Sequence, residues 1–215
     1  MIIKMENKKA IVLIPAYNEI NNLPKLIRKL KQYNILIIND SSSDGTEKFL
    51  KKNKINFLST KKRMGQTNSL ILGFKHIIKK YEKTKYIITF DADGEHKVSD
   101  LKKFFNKIKL NPDLVMGSRN RKNRFIENII SVIFNYKFKI KDPMTGFKMI
   151  KTKIIKDNFK HLNDKYFLID FLKKISSNIS VLNLKIDSPP RSGKSKHNQF
   201  FTNFKMLKTL IFILI

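Results

Sequence analysis

Short apolar runs that recur between stretches of helical period constrain this chain more than any other feature. AIVLI (10–14), ILII (35–38), NFL (56–58), YIITF (86–90) and LVMG (114–117) are continuous rather than alternating in apolar character. Strands read this way when both faces of their sheet are covered. Between them lie helical periods. One carries Leu23, Leu26, Ile27 and Leu30 with Asn21 as its cap; another carries Leu70, Ile71, Phe74, Ile77, Ile78 and Tyr81; a third carries Leu101, Phe104, Phe105 and Ile108 with Ser99 as its cap. The alternation predicts an α/β fold, a mostly parallel Rossmann-like sheet with helices on both faces. Ligands of such sheets collect at the carboxyl ends of the strands. With 215 residues, one core can bury roughly 70% of the unfolded surface.

From about residue 120 the pattern changes. Ile126, Ile129, Ile130, Ile133 and Phe134 form one amphipathic stripe, Phe167, Leu168, Phe171, Leu172 and Ile175 form another, and VLNLKI (181–186) reads as a strand. The end repeats apolar residues at Phe200, Phe204, Leu207, Leu210, Ile211 and Leu214, with Lys205 and Lys208 between them. Two units are therefore expected: a catalytic domain over 1–199 and an amphipathic tail over 200–215. Such a tail suits an anionic membrane surface, with core packing or a membrane-protein partner as the other ways to cover it. No run reaches 18 apolar residues, so no ordinary membrane span is expected, and MIIKMENKK does not read as a signal peptide.

Lys and Arg number 45 against 17 Asp and Glu, a net charge of +28, so the natural surroundings should be anionic. The excess runs evenly along the chain, as a compositional bias would also write it. A nucleic-acid-binding module would interleave aromatics with lysines on exposed strands. Here most aromatics sit on apolar helical stripes, and nucleic acid is not an expected partner. The absence of cysteine excludes thiol chemistry and zinc-thiolate sites and fits a reducing, cytoplasmic setting.

In so basic a chain the acids are informative. Asp40 and Asp44 follow the second run, and Asp91, Asp93 and Glu95 follow YIITF within DADGEH (91–96). If that segment stays extended, residues two apart share a face, and three hard oxygen donors there suit Mg²⁺ or Mn²⁺. The alternative is a solvated turn before the next helix. IPAYNE (14–19) and NDSSSDGT (39–46) place Tyr17, Glu19 and Asp40 along the same edge, where a ring and carboxylates can hold a nucleobase and ribose. Alternatively, Pro15 and Asn18 form a turn and Asp44 caps a helix.

Those segments, with RMGQTNSLILG (63–73), MGSRN (116–120), DPMTGFK (142–148) and RSGKSKHN (191–198), stand in the order and spacing of the family 2 glycosyltransferases. The chain resembles, within them, the dolichyl- and polyprenyl-phosphate sugar transferases over about residues 10–200. The resemblance implies a GT-A fold and an inverting, metal-dependent transfer from a nucleotide-sugar donor to a lipid phosphate, by an enzyme resting peripherally on the cytoplasmic membrane face. It implies donor contacts at Pro15, Tyr17, Glu19, Asp40 and Asp91, and metal contacts at Asp91, Asp93 and Glu95. Catalytic roles fall on Asp93, Arg119 and Arg191, and an acceptor-phosphate seat on Arg119, Ser131 and Arg191. Two departures stand out: Glu127 where those enzymes carry an Arg, and Asn39 where they commonly carry an Asp. A phosphate acceptor is already anionic at pH 7, its second pKa being about 6, and needs no strong general base. A saccharide hydroxyl acceptor would need one. A sugar nucleotidyltransferase, the other enzyme class with this sheet, would show a Gly-rich loop where IPAYNE stands.

Overall fold

The computed structural model describes residues 9–120, 122, 125–163, 168–176, 179–188 and 206–211. Its seven strands are β1 (Ala10–Ala16), β2 (Ile35–Asn39), β3 (Phe57–Ser59), β4 (Tyr86–Thr89), β5 (Leu114–Arg119), β6 (Lys148–Lys151) and β7 (Val181–Ile186). They form one sheet in the order β3-β2-β1-β4-β6-β5-β7, in which only β6 runs antiparallel to its neighbours. Five strands match the five apolar runs and β7 matches VLNLKI. The sequence reading did not find β6, because KMIK offers only two apolar residues between lysines. Its lysine stems nevertheless lie within the sheet, Lys148 buried and Lys151 partly so.

The helices are α1 (Leu23–Leu30), α2 (Thr46–Lys52), α3 (Gln66–Lys80), α4 (Val98–Lys107), α5 (Phe125–Phe138), α6 (Thr152–Asp157) and α7 (Ile169–Ser176). Val12 and Ile14 of β1 pack with Leu23, Leu26 and Leu30 of α1 and Leu101, Phe104 and Phe105 of α4. Ile11 and Leu13 turn to the other face, against Leu70, Phe74 and Ile77 of α3, Phe134 of α5 and Phe171 of α7. Both faces being covered, the run 10–14 has no polar position. A Cβ on Gly73 would overlap the Leu13 side chain, so this glycine is what lets α3 settle onto β1.

Two expected caps are displaced. The flanking residue of α1 is Asn22 rather than Asn21, because the chain already turns at Glu19, whose carboxylate receives the Asn22 side-chain amide at 2.7 Å. Ser99 lies inside α4, whose flanking residue is Lys97, and no side chain caps that end. Along α5, Glu127, Ile130, Ser131 and Phe134 face inward, while Phe125, Val132 and Tyr136 are 80%, 69% and 89% exposed. Residues 206–211 are helical; Met206 and Leu210 pack against the α3–α5–α7 core, and Leu207 and Ile211 face outward. Phe167, Phe200, Phe204, Lys205 and Leu214 lie outside the described residues. No helix among the described residues is long and apolar enough to cross a membrane.

Candidate functional site

The strands β1, β2 and β4 end at different heights, and a cleft of about 130 Å³ opens above them. Pairing of β1 with β4 stops at Leu13 and Thr89, whereas β1 continues along β2 to Ala16. Odd-numbered β1 residues bond toward β4, as Leu13 does through its carbonyl to the Phe90 N–H. The N–H that Pro15 lacks would therefore have pointed past the β4 ladder, into the notch that forms the cleft. Pro15, Tyr17, Glu19, Asp40, Asp91, Asp93 and Glu95 all line it.

Arg63, from the segment before α3, places its guanidinium 4.1 Å from the centre of the Tyr17 ring. This cation–π pair forms one wall. Glu19 is buried, and its backbone N–H donates to Thr46 Oγ1 at 3.0 Å. Asp40 is a brace: Oδ1 accepts the Met64 N–H at 2.7 Å and the Thr60 hydroxyl at 3.2 Å, and Oδ2 accepts the Gly65 N–H at 2.7 Å. These bonds fix the start of α3 beside the cleft. Asp44 performs the expected capping role, accepting the Thr46 N–H, and also accepts the Ile20 N–H. Asn39 donates to Glu47 and to Ser59.

The acidic cluster departs from expectation. Among the described residues no three His, Asp or Glu side chains are placed to hold a metal ion together. The chain leaves the extended conformation after Thr89 and turns through Gly94, at φ +80°, yet Asp91, Asp93 and Glu95 all still line the cleft. Asp91 Oδ1 accepts from Gln66 Nε2 at 2.6 Å, and Oδ2 lies 3.1 Å from His96 Nε2. Asp93 Oδ1 accepts the Glu95 N–H at 3.0 Å. Glu95 Oε1 lies 3.7 Å from Arg119 Nη1. The donor set of Asp91 and Asp93, both on the cleft, still fits Mg²⁺ or Mn²⁺, since such ions are often bound by one or two carboxylates plus substrate phosphates and waters. Burial alone would raise the Asp91 carboxyl; the hydrogen bond and charge of His96, then the charges of Lys148 and Arg119, outweigh it and hold the group below the ordinary carboxylate value. Burial pushes the Lys148 ammonium down to about 8 despite the pull of Asp91 and Asp142.

Arg119, the residue matched to an acceptor-phosphate contact, is enclosed by carboxylates. Its Nε and Nη2 donate to Asp142 at 2.8 and 3.0 Å, and Nη2 donates to Glu127 at 2.9 Å. Its backbone N–H also donates to Asp142, at 3.1 Å. Hydrogen bonds and charges of these partners outweigh burial and raise the guanidinium above its ordinary value. Ser131 lies one turn beyond Glu127 on the inner face of α5; its hydroxyl is buried with no hydrogen-bond partner among the described residues. Arg191 lies outside the described residues. The sequence reading gave no individual role to Arg63, Gln66, His96, Asp142 or Lys148. A usable signal existed for Asp142, one of only 17 acids, and little for the others.

The model of the family described as Glycosyl transferase family 2 matches residues 11–171. The chain belongs to glycosyltransferase family 2. An uncharacterised protein of Methanocaldococcus jannaschii is 31% identical over 169 residues, covering 68% of this chain and 73% of the relative. The dolichol-phosphate mannosyltransferase of Pyrococcus furiosus is 26% identical over 171 residues, covering 68% of this chain and 47% of that enzyme. This family 2 glycosyltransferase also superposes on solved structures of glucosyl-3-phosphoglycerate synthase from Mycobacterium tuberculosis. The complex with Mn²⁺, UDP and glucosyl-3-phosphoglycerate gives a TM-score of 0.73 at 11% identity, covering 100% of this chain and 82% of that one. Another structure of the same synthase gives 0.71 at 13% identity, covering 100% and 83%. These likenesses show the GT-A fold of the glycosyltransferase, as the sequence predicted.

Proposed function

We propose that this glycosyltransferase moves a sugar, with inversion, from a nucleotide-sugar donor to a polyprenyl phosphate at the cytoplasmic face of a membrane. The observation that carries the donor half is the cleft above β1, β2 and β4, lined by the Tyr17–Arg63 pair together with Asp91 and Asp93. In this reading Pro15 and Tyr17 pack on the nucleoside, and Glu19 and Asp40 border it. Asp91 and Asp93 would hold Mg²⁺ or Mn²⁺, with Glu95 beside them. When bound, that ion neutralises charge building on the diphosphate leaving group. The likeness to structures containing Mn²⁺ and UDP supports this half.

The acceptor half rests on the resemblance of the ordered motifs and on the Pyrococcus relative. Arg119, Ser131 and Arg191 are the proposed phosphate contacts. Among the described residues, exposed Phe125, Val132 and Tyr136 on α5 and Leu207 and Ile211 on the tail supply apolar groups for a membrane interface. The domain division at residue 199 belongs to the same proposal.

The carboxylate shell of Arg119 favours a second reading, in which the acceptor is a hydroxyl. Glu95, on the cleft and 3.7 Å from Arg119 Nη1, would then receive the proton. The deciding experiment supplies a panel of nucleotide-sugars with Mn²⁺ and either a polyprenyl phosphate or an uncharged polyprenol and oligosaccharide, and identifies the product by mass spectrometry. Glycosylated lipid phosphate is expected. Product from hydroxyl acceptors alone selects the second reading, and no turnover of any nucleotide-sugar removes both.

A further inference from the structure

The Asp91 carboxylate packs against the bare backbone of Gly146, where a Cβ has no room. Whatever fixes Gly146 therefore also limits where Asp91 can lie. The segment 145–148 is held by strands on both sides of it. From β5, the Gly117 N–H donates to the Phe147 carbonyl at 2.9 Å. Toward β4, strand pairing ends at Thr89 and Lys148, and the next N–H of that chain, on Phe90, donates to Leu13 of β1 instead. Backbone groups of β4 thus reach no further along the loop that carries Gly146.

The Thr89 side chain continues where the backbone stops. Its hydroxyl accepts the Lys148 N–H at 3.2 Å and donates to the Gly146 carbonyl at 2.6 Å. A hydroxyl has one proton to give and lone pairs to receive with, so it serves both neighbours at once, as one more rung of a backbone ladder would. Thr89 is 1% exposed. Burial removes water as a competing partner, and branching at Cβ restricts the side chain to few rotamers. The direction of the bond to Gly146 is therefore fixed.

We propose that Thr89 is a positioning residue for the donor site: its hydroxyl extends the β4–β6 pairing by one side-chain rung, sets Gly146, and through Gly146 holds Asp91 where that acid can meet a divalent ion and the donor diphosphate. Thr89 is not among the described residues that line the cleft, so it acts through Asp91 and not on the ligand. The inference rests on the reading of Asp91 as a metal contact and adds what aims its carboxylate.

The test titrates the full chain with UDP by calorimetry, once with Mn²⁺ and once with EDTA, and takes thermal melts of the same samples. Thr89→Val keeps the branched shape and removes the hydroxyl; Thr89→Ser keeps the hydroxyl and removes the methyl group. Thr89→Val is expected to bind UDP in EDTA as wild type does and to lose about fivefold or more of the affinity measured with Mn²⁺. Thr89→Ser should restore the Mn²⁺-dependent part. A threonine with a merely structural role would give equal losses with and without Mn²⁺, or a lower Tm alone, and either result overturns the proposal, as does equal loss in the Ser and Val variants. If Thr89→Val does not fold, Thr89→Cys, whose thiol is a weak donor at the same place, must show the Mn²⁺-dependent loss relative to Thr89→Ser. A wild-type chain whose UDP affinity ignores Mn²⁺ removes the metal assignment of Asp91 and this proposal with it. Equal enhancement by Mn²⁺ in wild type and Thr89→Val removes the proposal alone.

Discussion

Gly146 gives up its side chain to the carboxylate of Asp91. A Cβ built on Gly146 would stand inside that carboxylate, and the Gly146 carbonyl is itself pinned by the Thr89 hydroxyl at 2.6 Å. The loop before β6 therefore sets where the first acid of DADGEH points.

Gly146→Ala should displace Asp91 from Gln66 and His96 and weaken binding of Mn²⁺ and nucleotide together by more than about tenfold. Overpacking costs about 1–3 kcal/mol, so thermal melts should show a folded but somewhat less stable protein. Unchanged nucleotide binding by calorimetry would show that Asp91 can move without loss.

Arg119→Ala should be costly in stability before it is costly in chemistry. Removing the cation strands Asp142 and Glu127, both buried, and breaking such a pair costs about 3–5 kcal/mol. For a chain of this size that corresponds to a Tm lower by roughly 6–20 °C. Glu127→Gln keeps the shape and an acceptor for Nη2 and should cost much less. An unaltered Tm in Arg119→Ala, with activity gone, would instead assign Arg119 to a ligand.

Arg63→Ala should weaken nucleotide affinity modestly, by about 0.5–1 kcal/mol for the lost cation–π wall, and leave the Tm nearly unchanged because neither Arg63 nor Tyr17 belongs to the core. Titration with UDP in the presence of Mn²⁺ measures this. Tyr17→Ala should be at least as damaging, since it removes the packing surface itself.

Lys148 gives a pH signature. Its folded value of about 8 lies below the ordinary 10.5. Below pH 8 the group is charged whether folded or unfolded, and burying the charge costs stability. Between pH 8 and 10.5 the unfolded chain keeps a proton that the folded chain has released, so stability rises with pH through that window. Lys148→Met should flatten this rise relative to wild type when Tm is followed across those pH values. Parallel curves would show that Lys148 stays charged in the fold.

Legibility followed the length of the element and the range of the contact. Strands such as β1 and β4 were readable because burial on both faces leaves an apolar run, and α5 because its stripe spans several turns. The four residues of β6 carry no such run, and their placement is decided by the strands on either side. The edge that carries Tyr17, Asp40 and Asp91 was readable from where the strands end. The partners of the acids were not, because Asp91 bonds to Gln66 from α3 and to His96 across the turn at Gly94, contacts that no local spacing marks. The shell around Arg119 was hidden for a different reason: Glu127 and Asp142 arrive from a helix and a loop, and nothing local in the sequence marks them as neighbours.

The reversed strand β6 makes the sheet a structure in two halves with one joint. Residues of β1 to β4 form a contiguous parallel half, while β5 and β7 reach it only through β6, which pairs Tyr86 with Lys151 on one side and Leu114 with Ile150 on the other. As the chain emerges during synthesis, the edge of β4 stays open until the segment around residue 150 has appeared. Loops must close over long separations before that pairing rewards them, which makes it a slow step. Until then Tyr86, Ile87 and Ile88 present an unpaired apolar edge, the kind that joins neighbouring chains into aggregates. The joint beside the cleft acids is therefore also the place where assembly of this fold is most easily diverted.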